Sequence, residues 1–429
     1  MAKPQSKEKL LALLKEASEV FKTCSRKAKI LSALARKAEV AEEFFAKKES
    51  VMPKPVYTVD TKSITECIEA LTKLTPRLAG EHPVKKWLQR SQESYINGCE
   101  LLLSLETDRF YELSTKLYGN SQTRFFNGQT SNLDLANAIS TRLSVCTLND
   151  MSESMVRKDT QQFATGLEEK LKARVPPIPV RVEITDQIVA KVVAGMNRVR
   201  VRKDAHFGDL ELQALWNHEI ESHCLTAHNG ALQENCDFLS AGGPRTTMTQ
   251  EGIAVFFEVY GHTMSQPRFL SLCHRMEASH QAEQGADFMQ LYRWYKERTE
   301  TALEAFYSTQ RVFRGAKLSG GGPFTKDTVY LAGLLGVYNF LRFSAKNQNR
   351  LLVESLLCGR MALEDVGTIA WLRVHGLISP PKFVPEWLSN WEALLSFFSL
   401  SALLGTMDLS GFQSYFDDYY TLENWDLGL

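Results

Sequence analysis

A chain of 429 residues, 44% apolar and 23% charged, has material for one large domain or two ordinary ones with a real core. Lysine plus arginine and aspartate plus glutamate number 50 each, so no global field draws the protein to nucleic acid or to an anionic membrane. The opening MAKPQSKEKL holds no apolar run of the secretory kind, and the eight cysteines are scattered with no CxxC pair, so reduced thiols and a cytoplasmic location are expected.

Residues 1–52 carry 12 basic against 7 acidic side chains, and in LLALLKEASEVF and ILSALARKAEVAEEFF apolar residues recur at helical spacing. Pro53 and Pro55 stop that pattern. This predicts a helical N-terminal extension over 1–55, followed by one catalytic unit over 56–429. A second helical block is expected from Ser63 to Gly119, punctuated by Pro76 and Pro83, and then a surface loop over 120–134. After Pro176, Pro177 and Pro179 come two segments of two-residue rhythm, VRVEIT (180–185) and RVRVR (198–202), with a short helical stretch read between them. RVRVR is either a buried hairpin strand or an edge that pairs with substrate backbone. A helix is expected from about Leu210, capped by Asp209, to Asn229-Gly230, and another from near Thr249 to Gly261. The apolar stretches 329–343 and 393–405 fall short of the roughly 20 residues that span a bilayer and read as buried helices. The fold class is therefore α+β, predominantly helical with a small sheet.

The chemistry concentrates in NHEIESHCLTAHNG. His218-Glu219-x-x-x-His223 is one residue longer than the His-Glu-x-x-His string that sets two histidines on one helical face for zinc. On a regular α-helix, residues five apart point about 140° away from each other. A shared metal therefore requires a wide i→i+5 turn or a helix end between His218 and His223. A catalytic zinc takes three protein ligands and keeps one open position. Glu251, in TQEGIAVFFEVYG, is the leading third ligand, with Cys224, His228 and His262 as alternatives. Gly252 beside it permits close approach of another backbone, and Glu258, two turns on, suits a partner that orients a ligand.

HEIESH, NG and QEGIA together resemble the microtubule-associated tyrosine carboxypeptidases and their bacterial relatives, which carry a QEGLA motif. The resemblance extends through LETDRFYELSTKLYG (105–119), RVFRG (311–315), GGPFTKDTVYLAG (321–333) and FLR (340–342), with Ile253 where the motif has leucine. It implies a zincin-like metallopeptidase with its motif core at 176–345, one zinc ion on His218, His223 and Glu251, and Glu219 as catalytic base. It also implies a protein or peptide C-terminus as substrate, tubulin only for members that meet it. Within the downstream motifs, Arg311, Arg314, Lys326 and Arg342 are candidates to bind the terminal carboxylate. Tyr330 is a candidate oxyanion donor, and Phe324 and Tyr338 are candidate pocket walls. Alternatives are a zinc endopeptidase or aminopeptidase, and a silent zinc-binding regulatory protein.

Overall fold

A computed structural model describes residues 7–35, 39–125, 128–144, 158–186, 188 and 191–404. Helices dominate. The N-terminal helix Lys7–Lys27 is amphipathic, and its stripe of Leu10, Leu13, Leu14, Ala17 and Phe21 is buried in the main core. Phe21 packs on Tyr95 and Phe238, with ring centroids 5.4 and 5.1 Å away. The short helix Glu39–Ala46 serves a second core, where Phe44 lies 4.9 Å from both Tyr292 and Phe306. The helices Lys7–Lys27 and Glu39–Ala46 thus each pack into a core shared with later parts of the chain. The expected second helical block is present as Thr61–Lys73, Thr75–Leu78, Pro83–Leu103 and Asp108–Tyr118.

The small sheet has three strands in the order Arg181–Thr185, Arg198–Arg202, Val192–Ala194. The first pair is parallel and the second antiparallel. Two expectations need correction here. The stretch between the two strand segments holds the hairpin strand Val192–Ala194, where β-branched residues win over helix. RVRVR is the central strand, bonded on both sides, so its backbone has no free edge for a substrate. Its alternation has a packing cause instead: Val199 and Val201 are buried while the arginines face outward or sideways.

A nearly continuous helix runs from Asp209 to Ala231, with Gly208 rather than Asp209 at its N-cap. We call it the histidine helix. The Glu251 helix, Thr247–Tyr260, is largely apolar apart from the side chains it presents to the site, and it buries Ile253, Ala254, Val255, Phe256 and Phe257. Against it lies the Tyr330 helix, Val329–Lys346, at a contact made by two glycines. A Cβ on Gly252 would sit 2.2 Å from the Gly333 carbonyl oxygen, so only hydrogen fits there. Among the described residues no helix is long and apolar enough to cross a membrane. The described cysteines are buried and unpaired.

Candidate metal centre

The middle of the histidine helix is wound as a π-helix over Trp216–Cys224. This is the wide turn that the five-residue spacing demands. It brings the two imidazoles onto one side, centroids 5.1 Å apart and planes nearly perpendicular at 83°. Side-chain anchors flank the wide turn. Asn217 Nδ2 donates to Thr263 Oγ1 (3.2 Å) and to the Phe257 carbonyl (3.4 Å), tying it to the Glu251 helix. On another face Glu221 pairs with Arg174 at 2.6 Å, both side chains buried.

Glu251 faces this turn across the helix packing. Its Oε2 lies 3.7 Å from His218 Nε2 and 3.8 Å from His223 Nε2, while its Oε1 accepts from Lys326 Nζ at 2.7 Å. One ligand atom from each of the three residues lies within 4.8 Å of the others. Glu258 Oε1 sits 2.6 Å from His218 Nδ1 and is itself bridged by Arg268 at 3.2 Å. That bond fixes the tautomer and leaves His218 Nε2 toward Glu251.

Burial and charge set distinct states for the four groups. Burial opposes charging His218, but hydrogen bonds to Glu251 and Glu258 lift its pKa to about 10. Burial dominates at His223 and pushes it down to about 3, so that ring is neutral with a free lone pair. Burial also works against the Glu251 carboxylate, yet the Lys326 charge and the His218 bond hold it well below the ordinary range. Glu219 is raised, by burial first and by the neighbouring Glu251 charge, and it has no hydrogen-bond or ion-pair partner among the described residues. A raised, unengaged carboxylate next to His218 is suited to carrying a proton.

Of the remaining expected residues, Lys326 and Tyr330 join the site. Tyr330 Oη accepts from Lys326 Nζ (3.2 Å) and from Arg311 Nη2 (3.4 Å). Both neighbours can only donate, which leaves the tyrosine proton free to be given elsewhere. Arg311 is committed to Asp327 through two bonds of 2.8 and 2.9 Å. Arg314 has no carboxylate within ion-pair distance among the described residues; burial and the nearby Arg311 charge push it down to about 10. Arg342 is exposed on the Tyr330 helix, twelve residues and about 18 Å of helix beyond Tyr330, and is not brought to the site.

Phe324 packs on Phe110 and Tyr118, and Tyr338 on Phe398, as core residues. The alternative ligands point elsewhere. Cys224 bonds the Gly195 carbonyl and burial raises its thiol to about 12; His228 bonds the Met196 carbonyl; His262 is exposed. Residues that the sequence left unmarked are Arg268, Arg275, whose guanidinium lies 5.0 Å above the Tyr330 ring, and Arg360. Each is a lone arginine outside the motifs, with no local pattern to single it out.

A cleft of about 370 Å³ opens onto His223, Gln250, Glu251, Lys326 and Arg360. Its outer wall is the elbow between the N-terminal helix and the short helix Ile30–Ala33.

Comparison with curated proteins returns no match. The profile of one family, described as microtubule-associated tyrosine carboxypeptidase, matches residues 42–405, which takes in the histidine helix, the Glu251 helix and the Tyr330 helix. That span covers most of the chain and every residue of the candidate centre, and the protein belongs to the microtubule-associated tyrosine carboxypeptidase family.

Proposed function

We propose that this protein is a zinc-dependent carboxypeptidase, built on a zincin-like catalytic unit, that removes the last residue from a protein or peptide with a free C-terminus. The observation that carries this reading is the convergence of His218, His223 and Glu251 around one point, with Glu219 beside them. Two nitrogens and one carboxylate oxygen are the donor set of a hydrolytic zinc site. Tetrahedral zinc with bonds of about 2.0–2.1 Å spaces its ligands by about 3.4 Å. The 3.7 and 3.8 Å separations to Glu251 Oε2 need only a small contraction. Glu251 presents one oxygen to both rings because Lys326 occupies the other. The residues present therefore fit the ion.

Bound zinc supplies a water of lowered pKa and a Lewis acid for the scissile carbonyl. The chain supplies the rest. Glu219 takes the proton from the attacking water and returns it to the leaving amine. Glu258, held by Arg268, keeps the His218 ring in one orientation. Tyr330, with its proton free, donates to the oxyanion that develops on the carbonyl. Burial of Glu219 keeps its affinity for the proton high enough to make both transfers.

The substrate is inferred from the family alone, whose description names tyrosine and microtubules. Peptides ending in tyrosine, the tubulin tail among them, are the first to try. The experiment is a peptide panel with free and amidated C-termini, run on wild type and Glu219→Gln. Wild type is expected to trim only free C-termini. Glu219→Gln is expected to keep its zinc and lose roughly 100-fold or more of turnover. Internal cleavage, or equal activity on amides, rejects the carboxypeptidase reading. Zinc bound with no cleavage of any peptide favours a binding protein.

A further inference from the structure

Most arginines folded into this protein near the site have an acid. Arg174 has Glu221, Arg245 has Asp365, Arg268 has Glu258 and Arg311 has Asp327. Arg360 does not. Arg360 stands in the loop after the helix Arg350–Leu356, and its guanidinium reaches the backbone of His223. Nη2 donates to the His223 carbonyl at 3.1 Å and Nη1 to the Ala241 carbonyl at 3.4 Å, while the buried Nε has no acceptor. No carboxylate lies within ion-pair distance among the described residues. The nearby acids, Glu219 and Glu251, are assigned above to proton transfer and to the metal.

A partly buried guanidinium without a counter-charge is costly, and an anion arriving from outside would relieve that cost. The cleft supplies the route. Its lining includes three cations, Lys29, Lys326 and Arg360. Lys29 is exposed at the outer wall and Lys326 is bonded to Glu251, so Arg360 is the unspent charge beside the ligands. Arg311 and Arg314, which the sequence put forward for this task, are not among the residues lining the cleft. A free peptide carboxylate is one residue from the scissile carbonyl, and Arg360 is tied to the backbone of a metal-binding histidine.

We propose that Arg360 is the substrate-anchoring residue that receives the terminal carboxylate of the peptide in the cleft. This rests on the carboxypeptidase reading, and its test is chosen to stand apart from turnover. The probe is a hexapeptide with neutral side chains and a terminal tyrosine, as free acid and as amide, titrated against the zinc-loaded Glu219→Gln protein. The free acid is expected to bind roughly 10- to 100-fold more tightly than the amide. Adding Arg360→Gln should abolish that preference with amide affinity and zinc content kept. Arg360→Lys keeps the charge without the fork and should restore part of the preference; it also serves if the glutamine variant is unstable.

Equal binding of acid and amide by the parent, or an undiminished preference in both Arg360 variants, overturns the proposal. Binding that depends on an acidic side chain in the peptide and not on its terminus overturns it as well. Loss of the preference in a protein whose wild type cleaves nothing upholds the anion site while the carboxypeptidase reading fails.

Discussion

Glu258 Oε1 lies 2.6 Å from His218 Nδ1, at the opposite nitrogen from the one that faces Glu251. The carboxylate therefore sets which nitrogen of His218 is offered to a metal. Replacing it with glutamine removes the charge that favours the ligand's basicity and leaves Arg268 without its acid. Zinc affinity of Glu258→Gln is expected to fall about 10- to 100-fold in competition with a chromophoric chelator. An unchanged affinity would separate Glu258 from the metal.

Zinc should also stabilise the fold, because it binds the assembled triad and not the unfolded chain. At free zinc 100-fold above its dissociation constant the gain is about 2.7 kcal/mol. Differential scanning calorimetry of the chelated and reloaded protein is expected to show that rise in Tm. Glu251→Ala should show little of it. A full zinc-dependent rise in Glu251→Ala assigns the third ligand elsewhere.

The two-glycine contact makes a sharper demand. A methyl at Gly252 meets the Gly333 backbone oxygen at 2.2 Å, and backbone in a helix cannot give way cheaply. Gly252→Ala is expected to cost about 1–3 kcal/mol or more in chemical denaturation. It should lower zinc retention too, since Glu251 is the adjacent residue. Gly367→Ala is the contrast: a Cβ there meets nothing within 4 Å, and a helix gains from alanine. Its expected change is neutral or stabilising by up to about 1 kcal/mol. Equal losses in the two variants would remove close approach as the cause.

Asp327 gives a pH dependence with a definite sign. Burial pushes its carboxyl up, but the charges of Arg311 and Arg275 outweigh that and hold it far below the usual range. The folded value thus lies under the unfolded one of about 3.9. Its contribution is present at neutral pH and is lost as pH falls below about 4 toward the folded value. Asp327→Asn leaves the half-buried Arg311 without its acid and is expected to lose about 1–3 kcal/mol at pH 7. The gap to wild type should narrow in urea melts below pH 4. A gap independent of pH would mean that packing and not charge sets it.

The cluster of His218, His223 and Glu251 was legible because its parts announce themselves locally. The off-register histidine pair called for a wide turn, and the π-helix over Trp216–Cys224 supplies one. Gly252 read as a place of close approach, and Gly333 fills it. The sheet was half legible: the two-residue rhythm of RVRVR marks a strand, but that rhythm is the same in a centre or an edge, and only the partner Val192–Ala194 decides. The cations were least legible. Arg311 and Lys326 sit in recognisable motifs yet are bonded to Asp327 and Glu251. Arg360 lies 137 positions from His223, and nothing in its own neighbourhood foretells a contact created by the fold.

The wide turn has one more consequence. Rewound as a regular α-helix, the segment would point His218 and His223 about 140° apart and dissolve the ligand set without altering a single side chain. The winding of the helix is therefore a coordinate of the metal equilibrium. A zinc ion held by both rings would select the wide turn, and whatever holds the wide turn would raise the affinity for zinc. Asn217, bonded to Thr263, and Glu221, paired with Arg174, hold it from outside the ligand set. Their route to a bound ion would run through helical pitch.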